Sequence, residues 1–162
     1  MPVEIERKFL VSGTEWQQPH PRHVIQGYLN LDKQRTVRVR IDQEHGFLTI
    51  KGITAGATRE EFKYPIPVAD AKRMLALCDG AIIEKFRHAV IFEESRWEVD
   101  QFLGQNAELV VAEIELAAET QAFARPAWLG EEVTHDPRYF NSSLATHPFG
   151  SWQTQGARTR CS

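Results

Sequence analysis

The sequence predicts an α+β protein built mainly of antiparallel β-structure: an eight-stranded closed tunnel barrel with a charged lumen and helices packed outside. Three observations point there. About eight strand-like segments follow one another at even spacing, separated by tight turns. In seven of them the ionisable residues share one phase, and in most of those the other phase is apolar. One central helix and two short C-terminal ones are all that is available to cover an apolar sheet face, which favours a sheet closed on itself.

The first strand, MPVEIERKFL, divides with a period of two. Glu4, Glu6 and Lys8 share one face, and Val3, Ile5 and Phe9 share the other. A loop through Ser12, Gly13 and Pro19 leads to a strand at 23–31. Residues 35–41 form the clearest strand, with Thr36, Arg38 and Arg40 alternating with Val37, Val39 and Ile41. A strand at 47–51 puts Thr49 and Lys51 in one phase. The next, at 59–66, sets Arg59, Glu61 and Lys63 against Glu60, Phe62 and Tyr64. A helix over 68–78 has its apolar stripe at Val68, Ala71, Met74, Leu75 and Cys78, with Gly80 suited to a left-handed cap. A strand at 82–92 carries Lys85 and Arg87 in one phase and Phe86, His88 and Val90 in the other. At 96–102, Glu98 and Asp100 oppose Trp97 and Val99. At 108–116, Glu113 and Glu115 oppose Ala112, Ile114 and Leu116. Short helices are expected at 119–129, broken by Pro126, and at 134–146, where Asp136 and Pro137 fit an N-cap and first helical residue. The chain divides into one domain over 1–148 and a polar, frayed tail over 149–162.

The 162 residues suit a single domain with a real interior, and the composition is that of an ordinary globular chain. No apolar run approaches the roughly 18 residues that span a bilayer, so no membrane partner is expected. The N-terminus lacks the basic segment and apolar run of a secretory signal. Cys78 and Cys161 do not make a disulfide framework, and a reducing cytoplasm is the expected location. A net charge of −3 argues against a general nucleic-acid binder, and the basic residues within 157–160 are too few to change that. The histidines show no metal-like spacing, and His88 falls in the outward phase as a packed or surface residue. A monomer or a homodimer is expected.

The charged phases combine across strands. An ordinary solvated sheet face mixes Thr, Ser, Gln and Lys, whereas here nearly every position is ionisable. Cations sit on the middle strands and carboxylates on the first and late ones. Closing the sheet with this phase inward sets carboxylates near one wall and cations near another. Such charges are costly to bury without partners. A polyanion bridged to the carboxylates by Mg²⁺ or Mn²⁺ would satisfy both sets, because guanidinium and ammonium groups clamp phosphate oxygens and carboxylates hold hard cations. This is the charge pattern of a phosphoryl-transfer or phosphohydrolase site.

The segment EIERK resembles the Glu-x-Glu-x-Lys signature of the CYTH, or triphosphate tunnel metalloenzyme, family. QGYL (26–29), TVRVR (36–40), LTIKG (48–52), EKFRH (84–88), WEVDQF (97–102), AEIEL (112–116) and VTHDPRYFNSSLA (133–145) match in order. The resemblance covers roughly residues 1–146 and is strongest to the short, stand-alone bacterial members, chiefly inorganic triphosphatases. It implies a tunnel that binds a linear triphosphate with divalent metal. One departure is Lys63, where the similar segment would carry Glu.

On that resemblance Glu4, Glu6 and Glu115 are expected at a first metal, and Glu113 and Glu115 with Asp100 or Glu98 at a second, making two Mg²⁺ or Mn²⁺ ions. Lys8, Arg38, Arg40, Lys51, Lys85 and Arg87 are assigned to the phosphates. Glu61 either orients an arginine or touches metal, and Tyr28 either meets a phosphate or the attacking water, or packs. Lys85, Glu113, Glu115 and Tyr28 form the expected catalytic set. No side-chain nucleophile is evident, which suits attack by a metal-bound water. The leading expectation is hydrolysis of inorganic tripolyphosphate to pyrophosphate and phosphate. The alternatives are a cyclase acting on ATP, a thiamine or nucleoside triphosphatase, and a non-catalytic polyphosphate-binding module.

Overall fold

The computed structural model describes residues 3–152. Strands β1 (Val3–Val11), β2 (Arg22–Asn30), β3 (Arg35–Asp42), β4 (His45–Gly52) and β5 (Thr58–Ile66) precede helix α1 (Val68–Leu75). Strands β6 (Asp79–Phe92), β7 (Ser95–Phe102), β8 (Val110–Glu115) and β9 (Leu129–Glu132) follow, and then a short helix α2 (Asn141–Leu144). Neighbours run β5-β4-β3-β2-β6-β7-β8-β1, all antiparallel, and β1 pairs back onto β5 through Val3, Glu4 and Ile5. Eight strands therefore close into a barrel. β9 adds to the far end of β1, where Phe9 faces Glu132. Among the described residues no helix is long and apolar enough to cross a membrane.

The period-two pattern decides which side of each strand faces in. Glu4, Glu6 and Lys8 of β1 line the lumen. Phe9 of the opposite phase is fully buried outside the barrel with Trp97, Val99, Ala112 and Ile114. This outer cluster is roofed by segments that are neither strand nor helix. Trp16 comes from the β1–β2 loop, and Phe123 and Trp128 come from the stretch after β8. Phe123 and Trp128 each set a ring edge-on to Trp97, with centroids 5.6 and 5.7 Å away. Burial of each such ring contributes about 1.5–3 kcal/mol. His88 packs here too, as the outward phase implies: its Nδ1 accepts from the Gln18 backbone N–H at 3.0 Å and its ring stands edge-on to Trp16.

A second apolar cluster lies partly inside. Leu10, Val111, Phe102, Ile83 and Tyr28 follow the lumen phase of their strands, and the C-terminal segment brings Val133, Tyr139, Leu144 and Ala145 against them. The barrel is therefore charged along most of its lumen and filled by hydrocarbon where the C-terminal segment enters.

Three expected elements differ. Residues 119–129 form turns and extended chain instead of a helix, because Phe123 and Trp128 are drawn onto Trp97 and Pro126 cannot donate a helical hydrogen bond. The expected helix over 134–146 is a 3-10 turn at Pro137–Tyr139 followed by four-residue α2. Helix α1 stops at Leu75, short of Cys78, because Cys78 packs onto β2: a Cβ at Gly27 would meet its Sγ at 2.8 Å. Phe149 and Trp152 also pack, each edge-on to the other, against the second cluster. Cys161 and residues 157–160 lie outside the described residues.

Gly80 is left-handed, as expected, but for another reason. It sits where the β2–β6 register slips between Gln26 and Tyr28. The slip lets Ala81 N–H donate to Ala145 O at 2.8 Å, and a Cβ on Gly80 would lie 2.8 Å from the same oxygen. Gly80→Ala should therefore lower unfolding free energy by about 1–3 kcal/mol, from left-handed strain and overpacking together. Chemical denaturation checks this, and an unchanged midpoint would contradict it.

Candidate active site

The lumen holds a cavity of about 490 Å³, within the usual range for small-molecule sites. It brings together residues from strands far apart in sequence. Glu4, Glu6, Lys8, Tyr28, Arg38 and Arg40 all line it. So do Lys51, Glu61, Lys85, Arg87, Glu98, Glu113 and Glu115. Asp100 is the one expected site residue behind the wall, only 1% exposed beneath Lys85 and Arg87.

The carboxylates meet where β1 adjoins β8 and β8 adjoins β7. Glu6 stands directly opposite Glu115, and Glu98 opposite Glu113. Like charges facing each other across a ladder are destabilising. Lys8 offsets part of this, with Nζ 2.6 Å from Glu6 Oε1 and 2.7 Å from Glu113 Oε2. Burial would lower the Lys8 pKa, but Glu113 and Glu6 hold it well above the ordinary lysine value. Burial likewise opposes the charge on Glu113, yet Lys8 and Arg87 keep its pKa well below the ordinary carboxylate range. Glu115 forms no ion pair among the described residues. Its pKa is raised by burial, and then by the charges of Glu4, Glu61 and Glu6. Among the described residues no three carboxylate, imidazole or thiolate groups form a ready-made coordination shell.

The cations divide into partnered and unpartnered ones. Arg87 grips Asp100 in fork geometry, at 2.7 and 2.8 Å, and Lys85 Nζ lies 2.8 Å from the same carboxylate. Burial alone would raise the Asp100 pKa, but Arg87 and Lys85 hold it down to about 2. Lys85 is pushed down to about 7 by its complete burial. Asp100 opposes that shift, and Arg87 and Arg40 add to it. Lys51 meets Glu4 at 3.0 Å and Glu61 at 3.5 Å. Arg38 and Arg40 form no ion pair among the described residues. Arg40 donates Nε to Gln26 Oε1 at 2.8 Å, and its pKa falls to about 9 through burial and then through Arg38 and Arg87. Arg38 reaches only Thr49 Oγ1, at 3.4 Å, and its buried Nε has no hydrogen-bond partner. Two buried guanidiniums without carboxylates make an anion subsite.

Tyr28 packs in the second apolar cluster, as one of its two expected roles had it, and it also lines the lumen. Lys63 also lines the lumen, with Nζ 4.3 Å from the Phe47 ring centre. Burial, and then Arg40 and Arg38, lower its pKa, so Lys63 joins the cationic wall. Several lining residues were not singled out from sequence. Arg59, which pairs with Glu4 at 3.4 Å, shares the phase of Glu61 and could have been found by that signal. Phe140, Asn141 and Ser142 enter from the C-terminal segment and carry no periodic signal.

A closed barrel with carboxylates on one side of its lumen and uncompensated guanidiniums on another defines a polyanion-binding enzyme scaffold. The chain belongs to the CYTH domain family, whose model matches residues 2–147. It is 46% identical over 155 residues to an inorganic triphosphatase of Acetivibrio thermocellus, covering 94% of this chain and 99% of that protein. An inorganic triphosphatase of Nitrosomonas europaea is 35% identical over 148 residues, covering 88% of this chain and 97% of its own. A crystal structure of an inorganic triphosphatase superposes with a TM-score of 0.65 at 34% identity, covering 88% of this chain and 93% of that one. A Pyrococcus furiosus protein only 17% identical shares the fold, with a TM-score of 0.56 over 72% of this chain and 80% of that one.

Because the Asp100 pKa is depressed, the folded state holds this group ionised while the unfolded chain binds a proton more readily. Its stabilisation is complete above the ordinary carboxylate range and is lost as pH falls toward about 2. The thermal midpoint should therefore drop between about pH 4 and pH 2. Asp100→Asn should lower the midpoint at neutral pH, since removing one partner of a buried pair costs about 3–5 kcal/mol. Thermal denaturation across pH checks both, and a midpoint indifferent to acid and to Asp100→Asn would contradict them.

Proposed function

We propose that this protein is a divalent-metal-dependent triphosphatase that hydrolyses inorganic tripolyphosphate to pyrophosphate and phosphate. The observation that carries this is the pairing of two unsatisfied sets in one cavity. Among the described residues Arg38 and Arg40 are buried guanidiniums with no carboxylate partner, and Glu115 is an exposed carboxylate at the cavity, set among other carboxylates with no cation paired to it. A linear polyphosphate satisfies the first set and a hard cation the second. The full-length likeness to two proteins named inorganic triphosphatase supports the same reading.

The donor set fits the metal. It offers carboxylate oxygens alone, the ligands that Mg²⁺ and Mn²⁺ take. Glu4, Glu6, Glu113 and Glu115 would hold it, with Glu98 opposite Glu113 as a further donor, in place of the contacts that Lys51 and Lys8 now make with Glu4, Glu6 and Glu113; two ions are part of this proposal. Bound there, the metal supplies charge neutralisation and a water of lowered pKa. Asp100 is better used as the counter-charge that fixes Arg87 and Lys85, because it lies behind the lumen wall, 1% exposed, with Arg87 and Lys85 between it and the cavity. Arg38, Arg40, Lys51 and Arg87 hold phosphate oxygens, with charge that needs no rearrangement when the transition state forms. Lys85, whose pKa lies near neutrality, is suited to hold or pass a proton at the reacting phosphoryl group. Tyr28, beside Arg38 in the ladder, can place its hydroxyl at the same group. Glu61 pairs with Lys51 and not with an arginine, so the residue it would orient is that lysine.

A nucleobase finds little here to stack on. Tyr28 and Phe140 are the aromatic side chains among an otherwise mostly polar and charged lining, and the Ile114 side chain belongs to the outer cluster. This favours the inorganic substrate over ATP as a cyclase substrate.

Incubating the pure protein with tripolyphosphate, ATP or thiamine triphosphate, and resolving the products by ion chromatography, tests the reading. EDTA should abolish turnover, and Mg²⁺ or Mn²⁺ should restore it. Glu4→Gln and Glu115→Gln should each cost at least about a hundredfold in rate, since partners one step removed from a metal already cost about ten- to a hundredfold. Arg38→Ala should raise KM strongly, and Lys63→Ala should do less. Metal-independent turnover, or cyclic AMP as the product, would refute the proposal.

A further inference from the structure

One lumen side chain does not come from a barrel strand. Asn141, the first residue of α2, lines the cavity, and its Oδ1 accepts from Lys85 Nζ at 3.0 Å and from Gln26 Nε2 at 3.1 Å. Gln26 Oε1 accepts from Arg40 Nε at 2.8 Å. Lys85 also meets Asp100, which Arg87 holds in turn. An uninterrupted polar chain thus runs from Arg40 through Gln26, Asn141, Lys85 and Asp100 to Arg87. It joins the unpartnered end of the cationic wall to the partnered end.

The amide orientations in this chain follow from chemistry. Arginine and lysine donate and cannot accept. The Gln26 oxygen must therefore face Arg40, which leaves its amino group toward Asn141. Asn141 must present oxygen to Lys85, and that same oxygen is what the Gln26 amino group requires. Flipping either amide would set two donors face to face. Gln26 and Lys85 are both fully buried, so solvent cannot replace a lost partner.

Asn141 is held from both sides. Tyr139 and Leu144 are buried in the apolar cluster, and Ala145 O accepts from Ala81 N–H. The residue is therefore presented from a packed segment and not from a free loop.

We propose that Asn141 is a positioning residue that fixes the Lys85 ammonium for the bound phosphate, with Gln26 carrying the same alignment to Arg40. This rests on the triphosphatase reading of the lumen. Lysine is a point charge on a flexible stem, and Asp100 alone shares its oxygens between Lys85 and Arg87. A second acceptor, from a different element, leaves the ammonium one position. A neutral amide does this without adding negative charge to a cavity that takes a polyanion.

The full-length protein, assayed on tripolyphosphate with Mg²⁺ or Mn²⁺, tests the proposal. Asn141→Ala should lower kcat by about ten- to a hundredfold while KM moves by less than about threefold, the signature of lost positioning. Asn141→Asp keeps an acceptor oxygen but adds charge, so it should recover most of kcat and raise KM. Asn141→Ala should lower the thermal midpoint modestly, because it leaves two buried donors short of an acceptor, and assays well below that midpoint keep the loss of kcat separate from unfolding. Equal losses of kcat in both variants, an unaffected Asn141→Ala, or losses that follow the midpoint would overturn it. A readout independent of turnover is the ¹⁵Nζ resonance of Lys85, assigned by its loss in Lys85→Arg. That resonance should move in Asn141→Ala and return in Asn141→Asp, and an unmoved resonance overturns the proposal. A parent protein inactive on every triphosphate defeats the triphosphatase reading alone, because the resonance still decides the role of Asn141.

Discussion

Closing the sheet with its charged phase inward is the constraint on which the rest of the structure depends. A closed barrel leaves its inner charges only the water of one narrow cavity, so the deeply buried ones, Lys8, Arg38, Arg40, Lys85, Arg87 and Asp100, depend on partners or on a ligand. The lumen partly solves this with its own ion pairs, Lys8 between Glu6 and Glu113, Lys51 between Glu4 and Glu61, and Asp100 between Lys85 and Arg87. The same choice turns the apolar phase outward, where water would meet it. That explains why so much of the chain outside the barrel is roof. Trp16 and Trp128 come from loops, yet they are buried as deeply as a conventional core would be, and the half-buried Phe123 covers Trp97 and Phe9 beside them.

The C-terminal segment resolves a second consequence. Lumen positions lose their charge where Leu10, Val111, Phe102 and Ile83 stand. Hydrocarbon inside a barrel needs filling, and Tyr139, Leu144 and Ala145 supply it. The register slip at Gly80 lets β6 hydrogen-bond that segment. One packing solution therefore brings Asn141 to Lys85, so the stability of the plug and the geometry of the site depend on the same contacts.

The barrel and most of its site were legible because period-two alternation is local. Arg38 and Arg40 declare their face within a few residues, and Glu113 and Glu115 declare theirs in the same way. What was not legible depends on distant partners. Residues 119–129 have helical composition, but Phe123 and Trp128 follow Trp97 and the helix does not form. β9 is Leu-Gly-Glu-Glu, which has no alternation and exists because β1 offers it an edge. Asp100 showed the right phase, and only the structure reveals that Arg87 and Lys85 consume its oxygens. Asn141 lies in the segment 133–145 that carried the resemblance but shows no alternation that marks it as a lumen residue, since its place arises from where a packed segment ends up.

The choice between arginine and lysine along the cationic wall follows from the same constraint. Lysine starts at 10.5, and complete burial brings Lys85 to about 7 even with Asp100 beside it. Arginine starts at 12.5, and a comparable burial next to Arg38 and Arg87 still leaves Arg40 at about 9. The same burial acting on a lysine at position 40, which has no ion pair, would favour its neutral form more strongly than it does for arginine. Arginine keeps its charge there unaided and offers a fork of donors besides. Buried lysines accordingly occupy the positions with carboxylate partners, Lys8, Lys51 and Lys85, and Arg38 and Arg40 occupy those without. The unpartnered positions must stay charged to attract a phosphate, whereas a partnered lysine near neutrality can also exchange a proton. Intrinsic pKa values thus separate the guanidiniums, which resist loss of charge on burial, from Lys85, whose charge burial brings close to the neutral range.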